Sequence, residues 1–214
     1  IKKALAMGAD KIIFFDQDSQ LTQGFIKNLL STFDDERVRI AAPVFYDIEK
    51  GFGYKLVDIN KWGLRKKIEP ESLVDQIDIT VVISSGTVVD SKIFNEVGLM
   101  DESLFIDYVD TEWCLRCFYH GYKVRVNPKA VMYHSIGDNS IGVLGFNVPV
   151  HSPIRRYYRI RNSISLIKYR HVPKILMMRE MLFSLVHQAF LIFYLFFLWP
   201  LLSPCLQVLF LAFP

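Results

Sequence analysis

Short apolar runs rich in β-branched and aromatic residues alternate along this chain with segments whose apolar positions recur every three or four residues. The first run, Lys11–Phe15 (KIIFF), predicts a buried strand. A helix over Gly24–Phe33 and a short strand Val38–Ala42, ended by Pro43, follow. Residues 46–72 are polar, carry Gly51, Gly53, Gly63 and Pro70, and read as a loop-rich excursion. Ile77–Ser84 (IDITVVIS) is a second strongly apolar strand, closed by Ser85-Gly86. The pattern then predicts a short helix Ser91–Val97 stopped by Gly98 and a helix over Asp110–His120 stopped by Gly121, with strands at Lys123–Val126 and Val131–His134. Such alternation argues an α/β fold with a mostly parallel sheet flanked by helices. Sheets of that kind place ligands beyond the carboxyl ends of their strands, where Asp16, Asp18, Ser85 and Gly86 fall.

Past residue 150 the pattern changes. Between Ile154 and Arg179 lie eight Lys or Arg residues and no acid, and from Met181 to Pro214 there is no charged residue at all. A basic segment running into an uncharged apolar one is how a chain enters a membrane from the cytoplasmic side. Met181–Trp199 has the ~20 residues a spanning helix needs, diluted by Ser184, His187 and Gln188 and followed by Pro200 and Pro204. Three regions are therefore expected: a globular part at 1–150, a basic helix at 151–180, and a hydrophobic membrane-associated helical segment at 181–214. A buried or interfacial helix is the alternative for the last of these.

Composition narrows the classes. With 214 residues, 51% of them hydrophobic, the chain can bury one substantial core. A net charge of +3, without any basic-aromatic motif, excludes nucleic acid as the expected partner. Of the three cysteines, Cys114 and Cys117 form CLRC. A structural zinc site needs a second pair, which is absent, so both are expected to pack inside the helix that also carries Trp113.

The candidate chemistry begins where the first strand ends, in KIIFFDQDSQLT. Asp16 and Asp18 are two apart, so in an extended stretch both carboxylates point to one side. Like charges held that close repel unless a cation or proton sits between them. A divalent-metal site, a covalent aspartyl catalyst and an ordinary acidic turn all satisfy that condition. The aspartyl catalyst of haloacid-dehalogenase-type phosphatases follows D-x-D-x-T/V. Here Gln20 stands at the fifth position, and the nearest later acid, Asp138, has Gly142 where a second should be.

The metal answer fits more of the chain. DQDS, SSGTVVDSKIFNEVGLMDESLF, YVDTEWCLR, HGYKV and YHSIGD, in that order, resemble inverting family 2 glycosyltransferases of GT-A type. The similarity is greatest to the bacterial rhamnosyltransferase and galactofuranosyltransferase branch, and it spans roughly residues 8 to 162. It implies transfer of a sugar from a nucleotide-sugar donor, rhamnose from dTDP-rhamnose being the candidate, onto a glycan or lipid-linked glycan of a bacterial surface polysaccharide. The work would be done at the cytoplasmic face of the inner membrane. It implies a divalent cation, Mg or Mn, held by Asp18 with Asp16 and by His134; cations of this class take oxygen ligands, and manganese also accepts imidazole.

The resemblance places the catalytic base in the acidic cluster FIDYVDTEWCLR, with Asp110 as the matching position and Asp107 and Glu112 as alternatives. Related enzymes often have adjacent acids there, whereas Val109 precedes Asp110 here. Asp110 as a helix N-cap and Glu112–Arg116 as a surface ion pair are the plain structural accounts. Ser85 and Gly86 match the stretch where substrates approach the backbone, and Glu112, Arg161 and Asn162 complete the expected substrate-binding set. Family 2 enzymes read the nucleotide with a strand and turn ahead of the DxD, for which the first ten residues leave no room. A fragment lacking that part, and a non-catalytic membrane-associated remnant, are the corresponding expectations.

Overall fold

The computed structural model describes residues 1–17, 19–47, 51–133, 139–143 and 146–193, with only the backbone course of the strands between 139 and 150. In chain order its elements are α1 (Lys2–Ala6), β1 (Lys11–Ile13), β2 (Gln20–Leu21), α2 (Phe25–Leu30), β3 (Ile40–Asp47), β4 (Phe52–Gly53), β5 (Leu56–Ile59) and β6 (Arg65–Ile68). They continue with β7 (Ile77–Ile79), β8 (Val88–Asp90), α3 (Ile93–Val97), α4 (Val109–Tyr119), β9 (Val124–Tyr133), β10 (Asn139–Val143), β11 (Phe146–Val150), α5 (Pro153–Ser165) and α6 (Lys174–Phe193).

Strand β3 buries seven of its eight residues, so it lies at the centre of a seven-stranded sheet ordered β1-β8-β3-β9-β2, with β4 attached to β3 and β7 to β9. The sheet is mixed rather than mostly parallel. Among the paired strands, β3 with β9 is parallel and β1–β8, β3–β8, β7–β9 and β2–β9 are antiparallel. One cause lies at Gly86, where φ of +72° turns the chain tightly. Val88–Asp90 then return as β8 between β1 and β3 instead of crossing over through a helix. The bond from the Gly86 amide to the Phe14 carbonyl, 2.7 Å, and a parallel bridge between Phe14 and Ser85 hold that return.

Three further differences have local causes. The excursion at 46–72 contains an antiparallel hairpin, β5 with β6, because Leu56 and Ile59 find buried positions while Arg65–Lys67 stay exposed on its other strand. The two strands expected at 123–126 and 131–134 are one, β9. Its register against β3 slips between Val126 and Val131, where Asn127-Pro128 interrupts the ladder. The basic region holds two helices, and the second, α6, runs without a break across the expected boundary at 180/181. Loss of charge does not interrupt i to i−4 hydrogen bonding, so a compositional edge need not be a structural one.

Helix α4 sits in the middle of the packing. Trp113, Cys114 and Cys117 face the sheet with Ile40, Val89 and Phe94, the Trp113 and Phe94 rings 5.5 Å apart. Leu115 faces the opposite way, into a cluster with Ile59, Leu166, Val172 and Leu176. The helix is thereby clamped between the sheet and the α5–α6 pair. Both thiols are free, and burial pushes the Cys114 thiol up to about 12, so they serve as small apolar groups. His120, at the C-cap of the helix, is exposed.

Candidate active site

Strand β1 ends at a cleft of about 780 Å³, within the ~300–1,000 Å³ typical of small-molecule sites. Its walls include Asp16 from the strand end, Ser84 and Ser85 from the segment before Gly86, and Phe105, Asp107, Tyr108 and Asp110 from the approach to α4. Val57 from the hairpin, Tyr54 just before it and Arg155 from α5 also line it.

Two adjacent serines organise the acids. The Ser85 hydroxyl, buried, accepts the backbone amide of Asp16 at 3.1 Å and shares a bond of 3.0 Å with the Ser19 hydroxyl. It thereby fixes the chain at the point where it leaves the sheet. Ser84 lies on the same cleft wall as Asp110. Burial raises the Asp110 pKa, the Asp16 charge across the cleft raises it further, and the nearby Ser84 amide and hydroxyl oppose both. Asp110 also lies in the first turn of α4, where the helix dipole favours a carboxylate. It is no N-cap: that position is Tyr108, and no side chain caps this helix.

Gly86 has no room for a side chain. A Cβ there would lie 2.8 Å from Pro43 Cγ and 3.1 Å from Met132 Sδ, and its φ is positive. Its role in the structure is thus the tight return described above, and it is absent from the cleft wall.

The remaining expected residues divide. Asp107 reaches the cleft wall and pairs with Arg155, Nη2 to Oδ1 3.3 Å. Glu112 points away from the cleft, fully buried, with Arg116 donating to both of its oxygens (2.9 and 2.7 Å) and His171 Nε2 at 2.8 Å. Burial alone would raise the Glu112 pKa, but the close contacts of His171 and Arg116 outweigh it and hold the carboxyl below its usual range. The expectation that Glu112 contacts substrate therefore gives way to a buried ion pair, with His171 added from a distant part of the chain. Arg161 and Asn162 are likewise turned to the protein. Asn162 is fully buried, and its amide donates to the carbonyls of Leu104, Ile106 and Asp107. Arg161 bonds the carbonyls of Ser103 and Leu104.

Asp18, His134 and Asp138 lie outside the described residues. Their flanks do meet: Gln20 and Leu21 pair with Tyr133 and Met132, so the segment after Asp18 and the segment before His134 are neighbours in the sheet. Among the described residues no group of three or more His, Cys, Asp or Glu is gathered for a metal. Of the three expected ligands the described residues include Asp16, whose carboxylate lies exposed just past β1 on the cleft wall. A hard oxygen ligand at a cleft wall suits a divalent cation.

Sequence reasoning missed Ser84, Tyr108 and Arg155. The pair Ser84-Ser85 offered a signal, since consecutive residues in extended chain face opposite ways and can serve two partners. Tyr108 and Arg155 offered none, because their positions depend on how α5 and α6 pack.

The chain is 50% identical over 192 residues to dTDP-rhamnosyl transferase RfbF of Shigella flexneri, a match covering 90% of this chain. It spans 65% of that relative's length. In fold it is similar to GalNAc-T7, solved with UDP, GalNAc and Mn2+, at a TM-score of 0.50 and 16% identity, over 78% of this chain and 36% of that one. No protein-family model matches. The architecture is thus a GT-A-like α/β fold with an apolar helix, α6, near its C-terminal side.

Proposed function

We propose that this relative of a rhamnosyl transferase is a metal-dependent inverting glycosyltransferase that moves rhamnose from dTDP-rhamnose to a glycan or lipid-linked glycan. The observation that carries the reading is the opening of Asp16 and Asp110, from a strand end and a helix start, onto one cleft large enough for a sugar ring. In an inverting transfer the acceptor hydroxyl attacks the anomeric carbon from the face opposite the departing diphosphate. The hydroxyl must lose a proton as the new bond forms, and the diphosphate must gain negative charge as the old one breaks.

Asp110 is the base in this reading. Its carboxylate lies beside Ser84 on the cleft wall, and burial and the Asp16 charge raise its affinity for a proton, which suits a general base. Asp16, with Asp18 and His134, would hold the cation. Bound there, a divalent ion stabilises the charge that builds on the leaving diphosphate. Arg155, paired with Asp107 on the same wall, adds positive charge to the cleft.

The acceptor side points to a lipid surface. Helix α6 is long and apolar enough to cross a membrane by length and composition, and only 22% of its apolar window is buried. Met178, Leu182 and Val186 form an exposed stripe on it, while Lys168, Arg170 and Lys174 precede it. Apolar surface flanked by cations is suited to the cytoplasmic face of a membrane, where anionic lipids lie.

The direct test supplies dTDP-rhamnose, a lipid-linked acceptor and Mn or Mg to the full chain and follows sugar transfer, with chelator and Asp110→Asn as controls. Metal-dependent transfer with inverted anomeric configuration supports the reading. Transfer that survives both chelator and Asp110→Asn would sink it.

A further inference from the structure

The turn that leads into α4 is strained, and nearly all that holds it comes from the far end of the chain. Phe105 has φ 61° and ψ −63°, and the Ile106 amide donates to the Leu104 carbonyl at 2.7 Å. That is the rarer γ-turn, with its central residue at positive φ. Asp107 and Tyr108 follow at φ 62° and 64°. None of the three is glycine, and such conformations persist only where the surroundings over-determine them. Tyr108 supplies no side-chain cap, so the start of α4 is not fixed from within the helix.

The external hold is specific. The Asn162 amide donates to the carbonyls of Leu104 at 2.7 Å, Ile106 at 2.8 Å and Asp107 at 3.0 Å, and its own carbonyl accepts from Arg161. A side-chain amide has two N–H groups, so three carbonyl partners leave no donor for a ligand. Ser163 beside it is equally buried, which places this part of α5 inside the protein.

We propose that Asn162 is a positioning residue: from α5 it locks the strained turn at 104–108, and through that turn it sets Asp110 at the cleft. This rests on Asp110 acting as the base. The geometry favours it because the turn lines the cleft at Phe105, Asp107 and Tyr108 and runs directly into the residue that must meet the acceptor hydroxyl. Releasing the turn would let Asp110 move away from its place beside Ser84 on the cleft wall without disturbing the β3–β9 centre of the sheet.

The test is Asn162→Asp in the full chain, an isosteric change that keeps the acceptor facing Arg161 and removes both donors. Amide hydrogen exchange over 104–110 is expected to quicken by ~10-fold or more, with β3 and β9 amides little changed. With dTDP-rhamnose as donor, kcat is expected to fall ~10–100-fold while donor KM holds, because a small misplacement of a catalytic group costs rate rather than binding. Unchanged exchange at 104–110, or acceleration spread evenly through the sheet, overturns the proposal. So does local acceleration with kcat intact, which would make the bonds merely structural. If the aspartate variant does not fold, Asn162→Ser, which keeps one donor, is read by the same two measurements. Asp110→Asn run alongside separates the two ideas: full turnover in that variant removes Asp110 as base, and exchange at 104–110 still decides whether Asn162 locks the turn.

Discussion

The Tyr108 hydroxyl donates to the Glu180 carboxylate at 3.1 Å across 72 residues of sequence, joining the turn before α4 to the apolar helix α6. Glu180 is buried and also pairs with Arg65 at 3.2 Å and Arg179 at 2.8 Å. Burial pushes the Tyr108 hydroxyl up to about 12, so it stays protonated and able to donate throughout the working pH range. Glu180→Ala strands Arg65 and should cost about 3–5 kcal/mol, as removing one partner of a buried pair does. Tyr108→Phe should cost only about 1 kcal/mol, the net worth of one hydrogen bond. Chemical denaturation of the two variants checks the order. Equal losses would mean that the ion pairs contribute little.

The two acids on the cleft should fail in different ways. Asp110→Asn keeps shape and removes proton acceptance, and transfer should fall by ~10²–10⁴-fold with donor affinity largely retained. Asp16→Asn removes a ligand charge, so it should raise the metal concentration needed for half-maximal rate. Asp107→Asn breaks the pair with Arg155 and should have the smaller effect on rate. Steady-state kinetics at varied metal and donor separate the three. A rate collapse in Asp107→Asn with Asp110→Asn nearly normal would move the base to Asp107.

Gly86→Ala tests the turn that brings β8 back between β1 and β3. Positive φ in a non-glycine residue costs ~1–3 kcal/mol by itself, and here the new methyl also lands 2.8 Å from Pro43 Cγ. Thermal unfolding should show a loss at or above the upper end of that range. A loss within experimental error would mean that the return after Gly86 can take another path.

Glu112 predicts an acid limit to stability. Folding lowers its pKa below the ordinary value of 4.5. The native state therefore releases this proton more readily than the unfolded chain does. Its contribution is complete above the ordinary glutamate range and is lost as pH falls through the lower, folded value. Glu112→Gln should flatten that part of the stability–pH curve while lowering stability above it, and melting from pH 3 to 7 reads both.

Lipid association is checked with vesicles. The full chain should sediment with vesicles containing anionic phospholipid more than with neutral ones, and added salt should weaken the difference. Leu182→Glu with Val186→Glu places charge on the exposed stripe of α6 and should reduce binding to both. Unaltered sedimentation would direct attention to other surfaces.

Much of the architecture is legible in local pattern. Lys11–Ile13 of KIIFF is a strand because β-branched side chains suit a pleated surface, whereas Phe15, expected within it, is exposed past its end. The helix carrying Trp113 and Cys117 shows in its spacing and ends before Gly121, whose φ is +89°. The i, i+4 pairing of Glu112 with Arg116 follows from helix geometry alone. The acids at the end of the first strand and in YVDTEW stand out for the same reason: charge is conspicuous next to apolar runs.

What the tertiary structure decided is direction and company. The antiparallel place of β8 turned on one glycine return, which periodicity does not register because β8 is only three residues long. Asp16 and Asp110, far apart in sequence, share a cleft wall with Ser84 and Ser85, where the Ser85 hydroxyl accepts the Asp16 amide. Asn162, basic-helix residue by sequence, became the lock of a distant turn once α5 packed against it, and His171 came to Glu112 in the same way. Local spacing encodes which face of an element is apolar. Which partner that face or its polar neighbours meet is set by long-range packing, and a linear pattern carries no term for it.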